Sequence, residues 1–157
     1  MKSLATRGTE IFSDLPNFQV NGTTIPADVM VSAGEGSKPD LVILNREQRT
    51  IALLELTCSL SGSADKSHQL KLNKYTQLAI DLEEKGYKVF LVPFEVISSG
   101  HITNICKLSI QNTLRQFNIK VKNSLFVDLA KIALVCTMSV FYAYHEKEWT
   151  SPPLLSP

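Results

Sequence analysis

The sequence predicts an α/β (α+β) domain: one mixed sheet flanked by helices. Three observations carry that prediction. Two short apolar runs, Asp40 to Leu44 and Ile51 to Thr57, are joined by the polar stretch Asn45-Arg46-Glu47-Gln48-Arg49-Thr50, the pattern of a hairpin. A segment from Ser63 or Asp65 to Lys85 has Lys71, Tyr75, Leu78 and Leu82 at i, i+4, i+7 and i+11, one face of a helix, with Gly86 to stop it. A further extended run, Tyr87 to Val96, is followed by helical patterns. Helix, strand, hairpin, helix, strand, helices is an order that buries its apolar surface best as one sheet covered by helices.

The 157 residues fit a single domain, 1–157, long enough for a real core. With 44% hydrophobic and 20% charged residues and a net charge of +1, nothing global advertises a nucleic-acid partner, so an anionic partner would need a local basic cluster. Cys58, Cys106 and Cys136 are odd in number and form no CxxC pair, which speaks against a disulfide framework or structural zinc and for a reducing compartment. The N-terminal MKSLATRGTEIF lacks the apolar run of a signal peptide. The uncharged run Ile132 to Tyr144, at 13 residues, is short of the roughly 18–20 needed to span a bilayer, so it is expected in the core and no membrane partner is expected.

In chain order, residues 1–17 are expected to hold a short helix from the spacing of Leu4, Ile11, Phe12 and Leu15, ending before Pro16. Phe18-Gln19-Val20 with Asn21-Gly22 signals a strand and turn, and Thr24-Ile25-Pro26 continues extended. Ala33 to Ser37 is a glycine-containing loop without phosphate-loop spacing. In the second hairpin strand Ile51, Leu53, Glu55 and Thr57 share one face, with Ala52, Leu54 and Leu56 on the other. Both faces are apolar, so the strand is covered on both sides and Glu55 is expected to be buried. Pro93 pushes the Tyr87–Val96 strand towards an edge. Helices are expected over Thr103 to Phe117 and Lys122 to about Val135, whereas Ser139 to Tyr144 reads equally as helix or strand. The packed core is expected to cover about 16–149, with the tail 150–157 disordered or loosely docked.

The hairpin also carries the chemistry. If it folds about the midpoint of Glu47 and Gln48, facing residue numbers sum to 95 and Asp40 lies opposite Glu55. Facing Cβ atoms are about 4.5–5.5 Å apart, and two carboxylates so close in a dry site need a cation between them. A divalent metal with oxygen ligands is one resolution; the other is that Asp40 caps its strand while Glu55 pairs with a basic side chain. Lys71 falls inside the apolar arc of the following helix and Lys74 about 60° to one side. Lys71 either meets those carboxylates or snorkels to the rim.

Pro39-Asp40, fourteen intervening residues, then Glu55-Leu56-Thr57 and a following helix resembles the PD-(D/E)XK, or restriction-endonuclease-like, nuclease core. More narrowly, KPDLVI, ALLELT, KLNKY and PFEV are similar to the restriction-like endonuclease domains of some non-long-terminal-repeat retrotransposons and related transposon-derived proteins, over roughly residues 16–149. The motif's lysine would fall at Thr57, a departure; in several branches that lysine comes from the next helix, where Lys71 stands and a Lys74-Tyr75 pair follows.

The resemblance implies a metal-dependent endonuclease hydrolysing phosphodiester bonds in DNA. Asp40, Glu55 and the backbone carbonyl of Leu56 would hold Mg²⁺ (or Mn²⁺), and Lys71 would orient or deprotonate the attacking water. Lys38, Lys66 and Lys74, with Arg46 and Arg49 as further candidates, would flank the site and contact phosphate. Thr57 would support a bound water, Glu95 would be an outer acid, and Glu10 a weaker candidate. His68 and His101 lack metal-ligand spacing and read as structural or surface, and Cys58 reads as core. Target choice would lie in a separate domain or protein, and the location would be intracellular: nuclear for a eukaryotic transposon-derived protein, otherwise cytoplasmic. Two alternatives stand beside this: a catalytically silent descendant that binds nucleic acid or protein, and an interaction protein using the apolar helix Ser124 to Val135 as a protomer interface.

Overall fold

The computed structural model describes residues 8–13, 38–59 and 64–146. Their order is β1 (Thr9–Ser13), β2 (Leu41–Asn45), β3 (Thr50–Ser59), α1 (Ala64–Glu84), β4 (Lys88–Ile97), α2 (Asn104–Gln116) and α3 (Asn123–Glu146). The expected turn at Asn21-Gly22, the Thr24-Ile25-Pro26 segment, the Ala33–Ser37 loop and the tail 150–157 all lie outside the described residues.

The strands form one four-stranded mixed sheet in the order β1-β2-β3-β4. The first two pairings are antiparallel and the β3–β4 pairing is parallel, so α1 is the crossover of a β-α-β unit. The β2–β3 ladder runs from Leu41↔Leu54 to Asn45↔Thr50, every pair summing to 95 as the hairpin reading required. β4 lies at the sheet edge, in keeping with Pro93.

The alternation along β3 splits the core in two. Ile51 and Leu53 join Phe12, Val42, Leu44, Tyr75, Leu78 and Leu82 beneath α1. Ala52 joins Ile43, Val92, Phe94 and Val96 on the opposite face, against Cys106, Ile110 and Leu114 of α2, Phe117, and Phe126 and Ala133 of α3. β3 is therefore covered on both sides. Gly86 takes a φ of +82°, the left-handed conformation that ends α1. Thr103 caps α2 by accepting from the Cys106 N–H.

Several expectations are corrected. The segment expected to be a helix over 1–17 contains strand β1, because Phe12 and Ile11 serve opposite faces of a ladder whose partner lies some thirty residues away. Local periodicity carries no trace of that partner. The stretches Lys122–Val135 and Ser139–Tyr144 form one helix of 24 residues. Apart from Ala133, the run Ile132 to Tyr144 is not core: Ile132, Leu134, Met138, Val140, Phe141, Tyr142 and Tyr144 are all exposed. As a whole, Asn123–His145 is long and apolar enough to cross a membrane by length and composition, although its near end packs on the sheet through Phe126. Cys58 is exposed and not core, on the strand face where Leu56 too is exposed towards the end of β3.

Candidate functional site

The register brings Asp40 and Glu55 together. Asp40 sits one residue before β2, and its N–H donates to Glu55 Oε2 at 3.3 Å. Its Oδ2 accepts from the Leu56 N–H at 2.9 Å, a hydrogen bond that extends the ladder past Leu41↔Leu54. Continuing the register one step places Pro39 opposite Leu56. Proline has no N–H to give, so the Leu56 carbonyl receives no ladder bond from Pro39, while the Leu56 N–H donates to the Asp40 carboxylate. The carbonyl proposed as a ligand thus has no donor in the residue that precedes the aspartate.

Glu55 is buried, 6% exposed, under α1. Lys71 donates to Oε1 in a close ion pair, and Lys74 Nζ lies 3.6 Å from the same oxygen. Tyr75 shares its single phenolic proton between Glu55 Oε2 at 2.7 Å and the Lys38 carbonyl at 2.9 Å. Lys71 and Tyr75 meet one carboxylate because residues four apart share a helix face. The inward placement read from periodicity therefore holds, and Lys71 does not snorkel away.

The two acids titrate in opposite directions. Burial raises the Asp40 pKa, and the Glu55 charge adds to it, against the lowering by the Leu56 N–H and the two lysines. Burial also pushes Glu55 up, but the hydrogen bonds from Lys71 and Tyr75 and the charges of Lys71 and Lys74 outweigh it and hold the group below its ordinary value. Of the two resolutions read from the sequence, the contacts are those of the second: Asp40 closes the ladder and Glu55 has a basic partner.

The donor set suits a hard divalent cation. Two carboxylates, one just before β2 and one on β3, and a backbone carbonyl are oxygen ligands of the kind Mg²⁺ takes while keeping several waters. Burial is the main cause of the raised Asp40 pKa, and a bound cation would favour its charged form. No group of three or more His, Cys, Asp or Glu side chains suited to a metal occurs among the described residues.

Other candidates fall away from this point. Arg46 and Arg49 occupy the turn at the opposite end of the hairpin, about 20 Å from Asp40 at roughly 3.4 Å per residue, and do not flank the site. Glu10 is on β1 beside that turn, paired with Arg46 at 3.5 Å. Lys38 is exposed next to Asp40, and Lys66 lies in the first turn of α1, with its side chain outside what is described. His101 is exposed, as expected. An open cavity of about 600 Å³ between the Ser99–Ile102 turn and α3 shares no residue with the acidic cluster.

One cluster was missed. Glu95, buried at 6% exposure, has His68 Nδ1 2.9 Å from Oε1 and accepts from Cys106 Sγ at 3.1 Å on Oε2. Burial raises the Cys106 thiol pKa, which rules against a nucleophilic role. The available signal was that His68 precedes Lys71 by three residues and so shares its helix face. Thr57, beside Glu95 in the β3–β4 register, and Ser59 carry buried hydroxyls without a hydrogen-bond partner.

Compared with known proteins, the chain matches no family model, no curated protein and no solved structure.

Proposed function

We propose that this protein is a metal-dependent DNA endonuclease of the PD-(D/E)XK type that hydrolyses phosphodiester bonds. The observation that carries the reading is the meeting of Asp40, Glu55 and Lys71 from three separate elements, with Lys71 standing in for the lysine the motif would place at Thr57.

Asp40, Glu55 and the Leu56 carbonyl would hold Mg²⁺ or Mn²⁺, which when bound supplies a more acidic water and charge neutralisation at the phosphate. The chain's own residues do the rest. Lys71 is anchored on Glu55, so its ammonium is fixed where it orients the attacking water and offsets phosphate charge. Tyr75 ties Glu55 to the Lys38 backbone and holds the carboxylate still. Lys74 and Lys38 extend the positive surface to neighbouring phosphates. With a net charge of only +1, affinity for DNA is modest and falls steeply with salt. Target choice then rests with a separate domain or protein, and a eukaryotic transposon-derived origin would place the chain in a nucleus, any other origin in the cytoplasm.

The test is nicking of supercoiled plasmid with Mg²⁺ or Mn²⁺ against EDTA, comparing the parent with Glu55→Ala and Lys71→Ala. Metal-dependent nicking by the parent, lost in both variants, is the expected result. Loss in Glu55→Ala alone moves the lysine role to Lys74. A folded parent that cuts no DNA form with either metal defeats the nuclease reading and leaves a silent, binding-only fold.

A second reading is favoured by the apolar side chains that α3 leaves exposed: an interaction protein that associates through α3. Solution mass tests it, because a monomer at all concentrations removes its basis.

A further inference from the structure

Along α1, the side chains facing the sheet come in the order His68, Lys71, Tyr75, and each meets a group on β3 or β4. Lys71 and Tyr75 engage Glu55, while His68 engages Glu95. In the parallel register Glu95 pairs with Thr57, two residues beyond Glu55. The His68–Glu95 contact therefore lies one side-chain repeat further along the sheet than the Lys71–Glu55 contact, about 7 Å. On the same face the Thr57 hydroxyl, buried and without a partner among the described residues, sits beside Glu95, with the Ser59 hydroxyl, in the same state on a residue 6% exposed, one repeat beyond. Buried hydroxyls are nearly always satisfied in a folded protein, so two on one strand mark a polar strip whose partners lie outside the described residues.

The Glu95 carboxylate is held in place from both sides, by His68 on one oxygen and the Cys106 thiol on the other. Its own side chain is 7% exposed, whereas the His68 ring is 38% exposed. A buried carboxylate on Nδ1 fixes the plane and tautomer of an imidazole and leaves Nε2 as the atom free to exchange a proton. No comparable imidazole lies on the Glu55 side of the strip among the described residues.

We propose that His68 is the general acid of the reaction and that Glu95 is its positioning residue; this rests on the nuclease reading above. Water attacks phosphorus on the side of Lys71 and releases one proton to solvent, and a new P–O bond forms as the bond from phosphorus to the 3′ oxygen breaks. The electron pair of that bond leaves with the 3′ oxygen, which takes the proton from His68 Nε2. The products are a 5′ phosphate and a 3′ hydroxyl, and the neutral imidazole recovers its proton from solvent. Lys71 and His68, three residues apart on one helix, thus serve opposite ends of an in-line displacement.

A leaving group that needs no proton separates this role from a structural one. The substrate is duplex DNA carrying a bridging 3′ sulfur at the position the parent cuts, compared with the all-oxygen duplex, in Mn²⁺ throughout. His68→Gln is expected to lose about 100-fold or more in single-turnover cleavage of the oxygen linkage, the usual worth of a positioned acid, while cleaving the sulfur linkage at the parent rate. Glu95→Gln, which keeps the shape but not the charge, is expected to show a smaller loss with the same rescue. Equal losses on both linkages, or a His68→Gln enzyme as fast as the parent on oxygen, overturn the proposal while leaving the nuclease reading intact. A folded parent that cleaves neither linkage overturns both.

Discussion

Removing the Lys71 ammonium tests the site's electrostatics without any assumption about catalysis. Lys71→Ala leaves Glu55, 6% exposed, without its nearest cation. Breaking a fully buried pair costs about 3–5 kcal/mol because an uncompensated charge remains. Here the loss is smaller, because Lys74 Nζ at 3.6 Å, the Tyr75 hydroxyl and the Asp40 N–H stay in place and the Lys71 side chain is 28% exposed. About 1–3 kcal/mol is expected.

The sign with pH is fixed by the direction of the Glu55 shift. Its folded-state pKa lies below the ordinary 4.5, so its contribution is fully present above that value and is lost as pH falls through the folded pKa. Urea unfolding should show the full penalty of Lys71→Ala at neutral pH and little of it once Glu55 is protonated. Adding Glu55→Gln to Lys71→Ala should recover part of the loss, giving a non-additive cycle. A penalty of the same size at neutral and acid pH, or strict additivity of the pair, would show that Lys71 contributes through its aliphatic stem and not through the carboxylate.

Three further outcomes are expected. Asp40, whose folded pKa is raised, costs stability above its ordinary value of 3.8, so Asp40→Asn should raise the urea midpoint at neutral pH in EDTA and abolish any thermal shift on adding Mg²⁺; a lowered midpoint counts against the repulsion argued for this site. Tyr75→Phe removes the phenol shared between Glu55 and the Lys38 carbonyl and should cost about 1–3 kcal/mol by urea melting, with an unchanged midpoint as the contrary result. Gly100 has a φ of +81°, and a Cβ there would lie 2.8 Å from the Ala130 carbonyl oxygen, so Gly100→Ala should lower stability by about 1–3 kcal/mol; a neutral effect would mean that α3 shifts freely on the sheet.

The parts of this fold legible in the sequence are those whose cause is local. The 95-sum register follows from one polar turn between two apolar runs, and the inward face of α1 follows from spacing alone. Glu55 and Lys71 were legible together because a charged residue in an apolar stripe demands a partner, and each was the other's candidate. β1 was not legible, since a five-residue edge strand is defined by the ladder it joins. His68 was passed over because a search for metal spacing asks which histidines neighbour each other, whereas this one is defined by a carboxylate 27 residues away. The exposure of α3 was missed because an uncharged apolar run reads as core unless the remaining sheet surface is counted, and Phe117, α2 and the near end of α3 already fill it.

That distribution of contacts makes α3 unequal along its length. Phe126 and Ala133 are clamped to the sheet side, whereas beyond Ala133 no large apolar side chain of the helix is buried. A stretch of about a dozen residues is close to the shortest helix that persists in water by its own hydrogen bonds. Amide protons should accordingly exchange slowly up to about Ala133 and progressively faster towards His145, as a gradient within one continuous helix. Protection of the far half is therefore a direct gauge of whether anything has settled on it, read residue by residue without knowing what that is.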